Sequence, residues 1–303
     1  MKAIGNTPLI RLEHLCEPGS ADIFVKFEGA NPTGSMKDRM ALSMIEGAEK
    51  RGLLKPGGCV VEYTGGSTGS SLAMVCAFKG YKAHFVSSDA FAEEKLQTMR
   101  AFGAELDIIK SADGLITAKL IDSLVERARE LSLRPNTFWT DQFNNRDNRL
   151  AYHKMAHEIL EVLGYDIDEF IQGVGTGGSF SGNAEVFRKE IPGIRCIAIE
   201  PFNVRSLSGG DISGTHKLEG IGAGFVPSIC RLDLADEIVP VTDSDAYETA
   251  RRLAREEGIF GGTTSGANVW TALQRAKKIG PGKKIVTIIC DSGLKYLDGD
   301  LYR

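Results

Sequence analysis

Lys37 stands in the stretch Asn31-Pro32-Thr33-Gly34-Ser35-Met36-Lys37-Asp38-Arg39, between a strand-like run at residues 22–28 and an amphipathic run at residues 40–50. Asn-Pro and Thr-Gly punctuate a turn, because proline presets φ and glycine tolerates unusual backbone angles. Ser35 is then the candidate N-cap, which puts Lys37 in the first turn of a helix. A cation there opposes the positive end of the helix dipole. The placement suits a lysine whose amine is partly neutral or engaged as a Schiff base; a solvated surface lysine is the competing reading.

Two glycine-rich stretches add binding chemistry. Gly173-Val174-Gly175-Thr176-Gly177-Gly178-Ser179 directly follows an apolar strand-like run and precedes a helical run at residues 180–189. Successive backbone N–H groups in that setting form a concave nest, and the hydroxyls of Thr176 and Ser179 add donors, so the loop suits a phosphate. It lacks the Gly-Lys-Ser/Thr ending of a nucleotide P-loop. It also lacks a well-placed acid for a dinucleotide site, since Glu200 comes after the next strand. A plain structural turn is the alternative. The second stretch, Thr64-Gly65-Gly66-Ser67-Thr68-Gly69, has the same strand–loop–helix setting but alternates hydroxyls with glycines, which suits a carboxylate. A lysine, a phosphate nest and a carboxylate cradle together imply pyridoxal 5'-phosphate.

The elements that must position these loops alternate. Strands are expected at residues 59–63, 82–86, 105–109, 137–140, 169–174, 194–200, 237–241 and 284–289, with helices at 70–79, 92–102, 114–131 and 180–189 among them. Strands alternating with helices argue for parallel sheets of right-handed βαβ units. The polar stretch at residues 141–148 is the best candidate for a segment crossing between domains. Hydrophobic residues at 42% and charged residues at 25% describe an ordinary globular protein, and a net charge of −4 gives no footprint for nucleic acid or a membrane surface. No apolar run approaches the roughly 20 residues of a membrane span. The N-terminus has no apolar signal core and enters folded sequence at once. Six cysteines without C-x-x-C spacing read as buried thiols in a reducing cytoplasm, and no metal is expected.

Along nearly its whole length the sequence resembles the cysteine synthase (O-acetylserine sulfhydrylase) and cystathionine β-synthase family of fold type II pyridoxal-phosphate enzymes. The resemblance rests on Ile4-Gly5-Asn6-Thr7-Pro8-Leu9, the lysine stretch, Gly175-Thr176-Gly177-Gly178 and Ala101-Phe102-Gly103-Ala104-Glu105. It rests also on Ser208-Gly209-Gly210, His216-Lys217, Gly220-Ile221-Gly222-Ala223-Gly224, Ser265-Gly266-Ala267, and Ser292-Gly293 before Tyr296-Leu297. The fold it implies is α/β with two domains, each a mostly parallel twisted sheet flanked by helices, as in the tryptophan synthase β chain. Residues 38–141 would form a small, mobile domain carrying the substrate-carboxylate loop; residues 1–37 and 142–303 would form a larger domain binding the cofactor phosphate.

By the same resemblance, Lys37 is the Schiff-base lysine and acid/base. Gly175, Thr176, Gly177, Gly178 and Ser179 hold the phosphate. Thr64, Gly65, Gly66, Thr68 and Gln142 hold the substrate carboxylate, Ser67 faces the cofactor's ring hydroxyl, and Ser292 faces the pyridine nitrogen. Asp291, adjacent, is the competing candidate for that place, with a loop residue turned to solvent as the favoured reading. The implied reaction is β-replacement, giving L-cysteine from O-acetylserine or another activated serine and sulfide through an aminoacrylate. Alternatives are β-elimination, as in a cysteine desulfhydrase or serine/threonine dehydratase, and a non-catalytic binding protein. A homodimer and a serine acetyltransferase are the implied partners. One departure stands out: the family usually reads Thr-Ser-Gly-Asn-Thr-Gly where this chain has Thr64-Gly65-Gly66-Ser67-Thr68-Gly69. Serine offers one short hydroxyl in place of an amide NH2.

Overall fold

The computed structural model describes residues 1–114 and 117–303. Runs rich in β-branched residues, such as Cys59–Tyr63 and Lys284–Ile289, form strands buried on both faces, as parallel sheets covered by helices require. In chain order the strands are β1 (Leu9–Arg11), β2 (Asp22–Phe27), β3 (Cys59–Tyr63), β4 (Lys82–Ser88), β5 (Glu105–Ile109), β6 (Thr137–Trp139), β7 (Glu169–Gly173), β8 (Arg195–Pro201), β9 (Glu237–Val241) and β10 (Lys284–Ile289). The helices are α1 (Lys37–Lys50), α2 (Ser67–Lys79), α3 (Glu93–Ala101), α4 (Ala118–Ser132), α5 (Arg146–Leu150), α6 (His153–Leu163), α7 (Gly178–Glu190), α8 (Asp243–Glu256) and α9 (Thr263–Ile279). Among the described residues the chain forms two compact units, one of residues 37–148 and one of residues 2–36 and 149–303.

The first unit holds a parallel sheet in the order β5-β4-β3-β6. Helix α4 lays Leu120, Leu124, Ala128 and Leu131 along one face, spaced by three and four residues, against Val61 and Val86. Thr117 caps it, its side chain accepting from Leu120 N at 3.2 Å. The helix expected from residue 114 is described from Ala118; positions 115 and 116 lie outside the described residues. The unit runs on to Asn148 because Gln142 N donates to Glu62, and Ser43 donates to the Asp147 carbonyl at 2.8 Å.

The second unit holds a sheet in the order β1-β2-β10-β7-β8-β9. All pairs are parallel except β1 with β2, where a three-residue edge strand runs antiparallel, in keeping with a mostly parallel sheet. Helix α9 is buried along most of its length and contributes Ala267, Val269, Ala272 and Ala276 to a core shared with Ile23, Ile171, Ile197 and Ile285. Amphipathic α8 covers it, burying Ala246, Ala250 and Leu253. Full burial of these branched side chains supplies about 1.5–3 kcal/mol each, the main force holding the sheet against its helices.

Candidate active site

In the second unit, β7 ends at Gly173 and the chain turns through residues 174–177 into α7. Gly177 caps α7 with φ +80, a left-handed angle, and has no side chain of its own to cap the helix, while Thr176 Oγ1 accepts from Gly178 N at 3.3 Å. The first-turn N–H groups therefore point out of the helix end toward the loop's concave side, the arrangement that receives an anion. The glycines are required by space. A Cβ on Gly175 would sit 2.1 Å from the Gly220 carbonyl oxygen, and one on Gly177 would sit 2.4 Å from Cys230 Cβ. Gly220 belongs to the Gly-Ile-Gly-Ala-Gly stretch, and Gly222 N donates to the Val174 carbonyl at 3.2 Å, so that motif forms the wall behind the nest. Beneath it, Asn268 Oδ1 accepts from Gly173 N at 2.8 Å and Gln172 Nε2 donates to Ser179 Oγ at 2.7 Å.

Ser292 follows β10, the neighbour of β7, so it lies at the carboxyl end of the adjacent strand. Its Oγ accepts from Leu294 N at 3.3 Å, which leaves its own hydrogen to give. Asp291 corrects the expectation: it is buried, not turned to solvent, and its Oδ2 accepts from the Tyr296 hydroxyl at 2.7 Å. Burial and the Asp291 carboxylate together hold the Tyr296 hydroxyl well above its ordinary pKa.

The segment leading to Lys37 is tied into this unit by a buried polar network that pattern reading missed. Glu28, fully buried just after β2, accepts from Thr7 Oγ1 at 2.6 Å and from Asn31 Nδ2 at 2.8 Å, and Asn31 Oδ1 accepts from Gly5 N at 2.9 Å. The Ile4-Gly5-Asn6-Thr7 opening thus braces the lysine stretch. Met36 N donates to the Cys290 carbonyl at 2.9 Å, and the Tyr152 hydroxyl donates to the Met36 carbonyl at 3.3 Å. Lys37 follows one peptide bond later as the first residue of α1 and is half-buried. Ser35, the N-cap candidate, forms a β-bridge with Asp291, and α1 begins two residues later at Lys37.

In the first unit, β3 leads into residues 64–66 and then α2, whose N-cap, Gly66, offers no side-chain bond. Thr64 Oγ1 accepts from Gly66 N at 3.3 Å and Gly69 N at 3.2 Å, so it shapes the loop from inside. Thr68 Oγ1 donates to Gln142 Oε1 at 2.9 Å, joining the loop to the residues after β6, the strand paired with β3. Ser67 is half-buried, and its hydroxyl has no hydrogen-bond partner among the described residues. Gly65 is explained by its neighbour: a Cβ there would lie 2.1 Å from the Phe91 ring. Phe91 fills the space that the family's serine side chain would take.

Each unit therefore presents a helix start with glycine at the cap position beside the carboxyl end of a neighbouring parallel strand. One is lined by glycine N–H groups and the other by hydroxyls and an amide. The donor sets fit a phosphate and a carboxylate respectively, and both glycine positions of the nest are ones that a Cβ would fill.

The family of pyridoxal-phosphate dependent enzymes matches residues 1–291. The cysteine synthase of Staphylococcus aureus is 42% identical over 301 residues, which is 99% of this chain and 95% of that protein. The solved cysteine synthase of Entamoeba histolytica superposes with a TM-score of 0.93 at 35% identity, covering 99% of this chain and 89% of that one. A hydrogen sulfide-producing enzyme of Fusobacterium nucleatum superposes with a TM-score of 0.91 at 40% identity, covering 98% and 96%. The chain belongs to the family of pyridoxal-phosphate dependent enzymes, with the fold type II architecture of its cysteine synthase branch. Pyridoxal 5'-phosphate is its cofactor.

Proposed function

We propose that the enzyme makes L-cysteine by β-replacement, exchanging the β-substituent of O-acetylserine, or another activated serine, for sulfide. The observation that carries this is 42% identity to a cysteine synthase along 99% of the chain. It is supported by a lysine at the head of α1 and a glycine nest with no room for side chains.

The bound cofactor supplies an electron sink for the substrate Cα. Residues Gly175, Thr176, Gly177, Gly178 and Ser179 hold its phosphate through N–H and hydroxyl donors. Lys37 carries it on Nζ, Ser67 faces its ring hydroxyl, and Ser292 its ring nitrogen. A neutral hydroxyl there leaves that nitrogen unprotonated. Thr64, Gly65, Gly66, Thr68 and Gln142 hold the substrate carboxylate, which orients the Cα proton. Freed when the substrate's amine takes its place, Lys37 Nζ takes that proton. The acetate leaves Cβ with its bonding pair, hydrosulfide forms the new C–S bond, and Nζ returns the proton to Cα. Lys37→Ala should retain the fold and lose turnover entirely, because no neighbouring group substitutes for a covalent anchor. Residual activity within a few fold of wild type would refute the assignment.

A second reading, β-elimination from cysteine or serine, is favoured by the Ser67 and Gly65 departures and by the 40% identity to a hydrogen sulfide-producing enzyme. Cysteine formation from O-acetylserine and sulfide, measured beside pyruvate release from cysteine alone, separates the two; faster pyruvate release would reverse the order. The homodimer and the serine acetyltransferase partner rest on the family resemblance. A cytoplasmic location is supported by six free cysteines and by the absence, among the described residues, of a helix long and apolar enough to cross a membrane.

A further inference from the structure

Glu62 lies one residue before the end of β3, with no exposed surface. Its Oε1 accepts from Tyr63 N at 2.9 Å and Trp139 Nε1 at 3.2 Å; its Oε2 accepts from Thr140 Oγ1 at 2.6 Å and Gln142 N at 3.0 Å. Four donors converge on one carboxylate, and among the described residues no cation pairs with it. The β3–β6 ladder ends at Val61 and Trp139, with Thr140 N still reaching the Val61 carbonyl at 3.1 Å. Beyond that point the carboxylate replaces the ladder. It holds the backbone of Gln142, whose side chain accepts from Thr68 and whose carbonyl accepts from Asn148 Nδ2 at 2.7 Å.

We propose that Glu62 is a positioning residue for the amino-acid substrate, acting through Gln142 and the Thr64–Thr68 loop. The proposal rests on the reading of that loop as the carboxylate cradle. An apolar residue of similar size would serve packing alone. All four donors are satisfied together only by the ionised carboxylate, because a glutamine would turn an NH2 toward two of them. Burial pushes the Glu62 carboxyl up to about 7, against the pull of its four hydrogen bonds. Its titratable neighbours are Tyr63 on the same strand and Asp141 on the segment after β6; Glu62 and Asp141 both help hold the Tyr63 hydroxyl up. When Glu62 gains a proton, its Oε2–H can donate to Thr140 Oγ1, whose own hydrogen must turn away, and the Gln142 N–H is left with a weaker acceptor.

Trp139 reports this directly, since its indole N–H donates to the same carboxylate. In the holoenzyme carrying Trp270→Phe, Trp139 emission should inflect near pH 7, and Glu62→Gln should abolish the inflection. The same Glu62→Gln change should raise KM for the amino-acid substrate at pH 8 by about two- to tenfold, the range of one hydrogen bond, with kcat within about twofold. Thr140→Val, the variant to use if Glu62→Gln does not fold, removes one donor and should move the inflection upward and raise KM at pH 7. Thr68→Val serves as the control for the cradle itself. A rise in KM for Thr68→Val with none for Glu62→Gln or Thr140→Val, or an inflection that survives Glu62→Gln, overturns the role of Glu62 alone. No rise in any of the three overturns the cradle reading and this proposal with it.

Discussion

The two loops that follow β7 and β3 share a plan and differ in what confines them. The β7 loop is pressed against main chain and a short thiol: Gly175 against the Gly220 carbonyl, Gly177 against Cys230. The β3 loop is pressed against flexible side chains: Gly65 against the Phe91 ring, Gly69 against Met99. Their supports differ as well. Neutral amides, Asn268 and Gln172, stand beneath the first, and an ionisable carboxylate, Glu62, beneath the second. A loop walled by backbone can bind only one shape of anion. A loop walled by side chains can change its ligand through changes in its neighbours, and its departures from the family pattern fall there.

The comparison breaks first at Gly177. Gly177→Leu combines a left-handed φ with a clash against Cys230, and neither wall can retreat far. Pyridoxal-phosphate affinity should fall on the order of a thousandfold, measured by equilibrium titration; unchanged affinity would mean that this loop does not hold the phosphate. Next is the pH dependence of stability. The folded-state carboxyl of Glu62 lies at about 7 against an ordinary 4.5, so its contribution is fully present below pH 4.5 and is lost as pH rises through 7. The loss is on the order of 3 kcal/mol. Urea unfolding at pH 5 and pH 8 should show it in wild type and a flatter difference in Glu62→Gln.

Gly65→Ser tests the side-chain wall. It should weaken substrate binding about five- to hundredfold by overpacking against Phe91, and Phe91→Ala in the same chain should restore it. A strictly additive double mutant would mean that Phe91 does not decide what position 65 can hold. The smallest effect is expected at Ser67, whose hydroxyl has no partner among the described residues. Ser67→Asn, alone or with Gly65→Ser and Phe91→Ala, should shift the ratio of replacement to elimination toward replacement by about two- to tenfold. Pyruvate release with and without sulfide measures this ratio.

Sequence pattern reached the strands at Glu105–Ile109, Glu237–Val241 and Lys284–Ile289 residue for residue, because each is an apolar run with clear breaks at both ends. It reached α4 and α7 within a few residues. It did not find α9 as a helix; Thr263–Ile279 is buried along most of its length. The glutamates at strand ends were also illegible. A charge inside an alternating run reads as solvent-facing, yet Glu28, Glu62 and Glu200 are all buried and take donors from the loops beyond them. Asp291 misled in the same way. Phe91 could not be paired with Gly65 from spacing, because their contact is made only when the turn after β4 folds back.

The carboxylate of Glu62 also sets an order of events in time. Its partners Thr140 and Gln142 lie 78 and 80 residues further along the chain. A ribosome that has released residues 64–69 has made the loop's composition but not its shape. The loop must wait for β6 to dock beside β3, a non-local pairing that forms slowly compared with local helix growth. By contrast, Gln172 and Ser179 at the nest are seven residues apart and can meet as soon as α7 begins. Of the two loops, the one proposed to hold the substrate carboxylate is synthesised first and gains the Glu62–Thr140 brace only after a long wait.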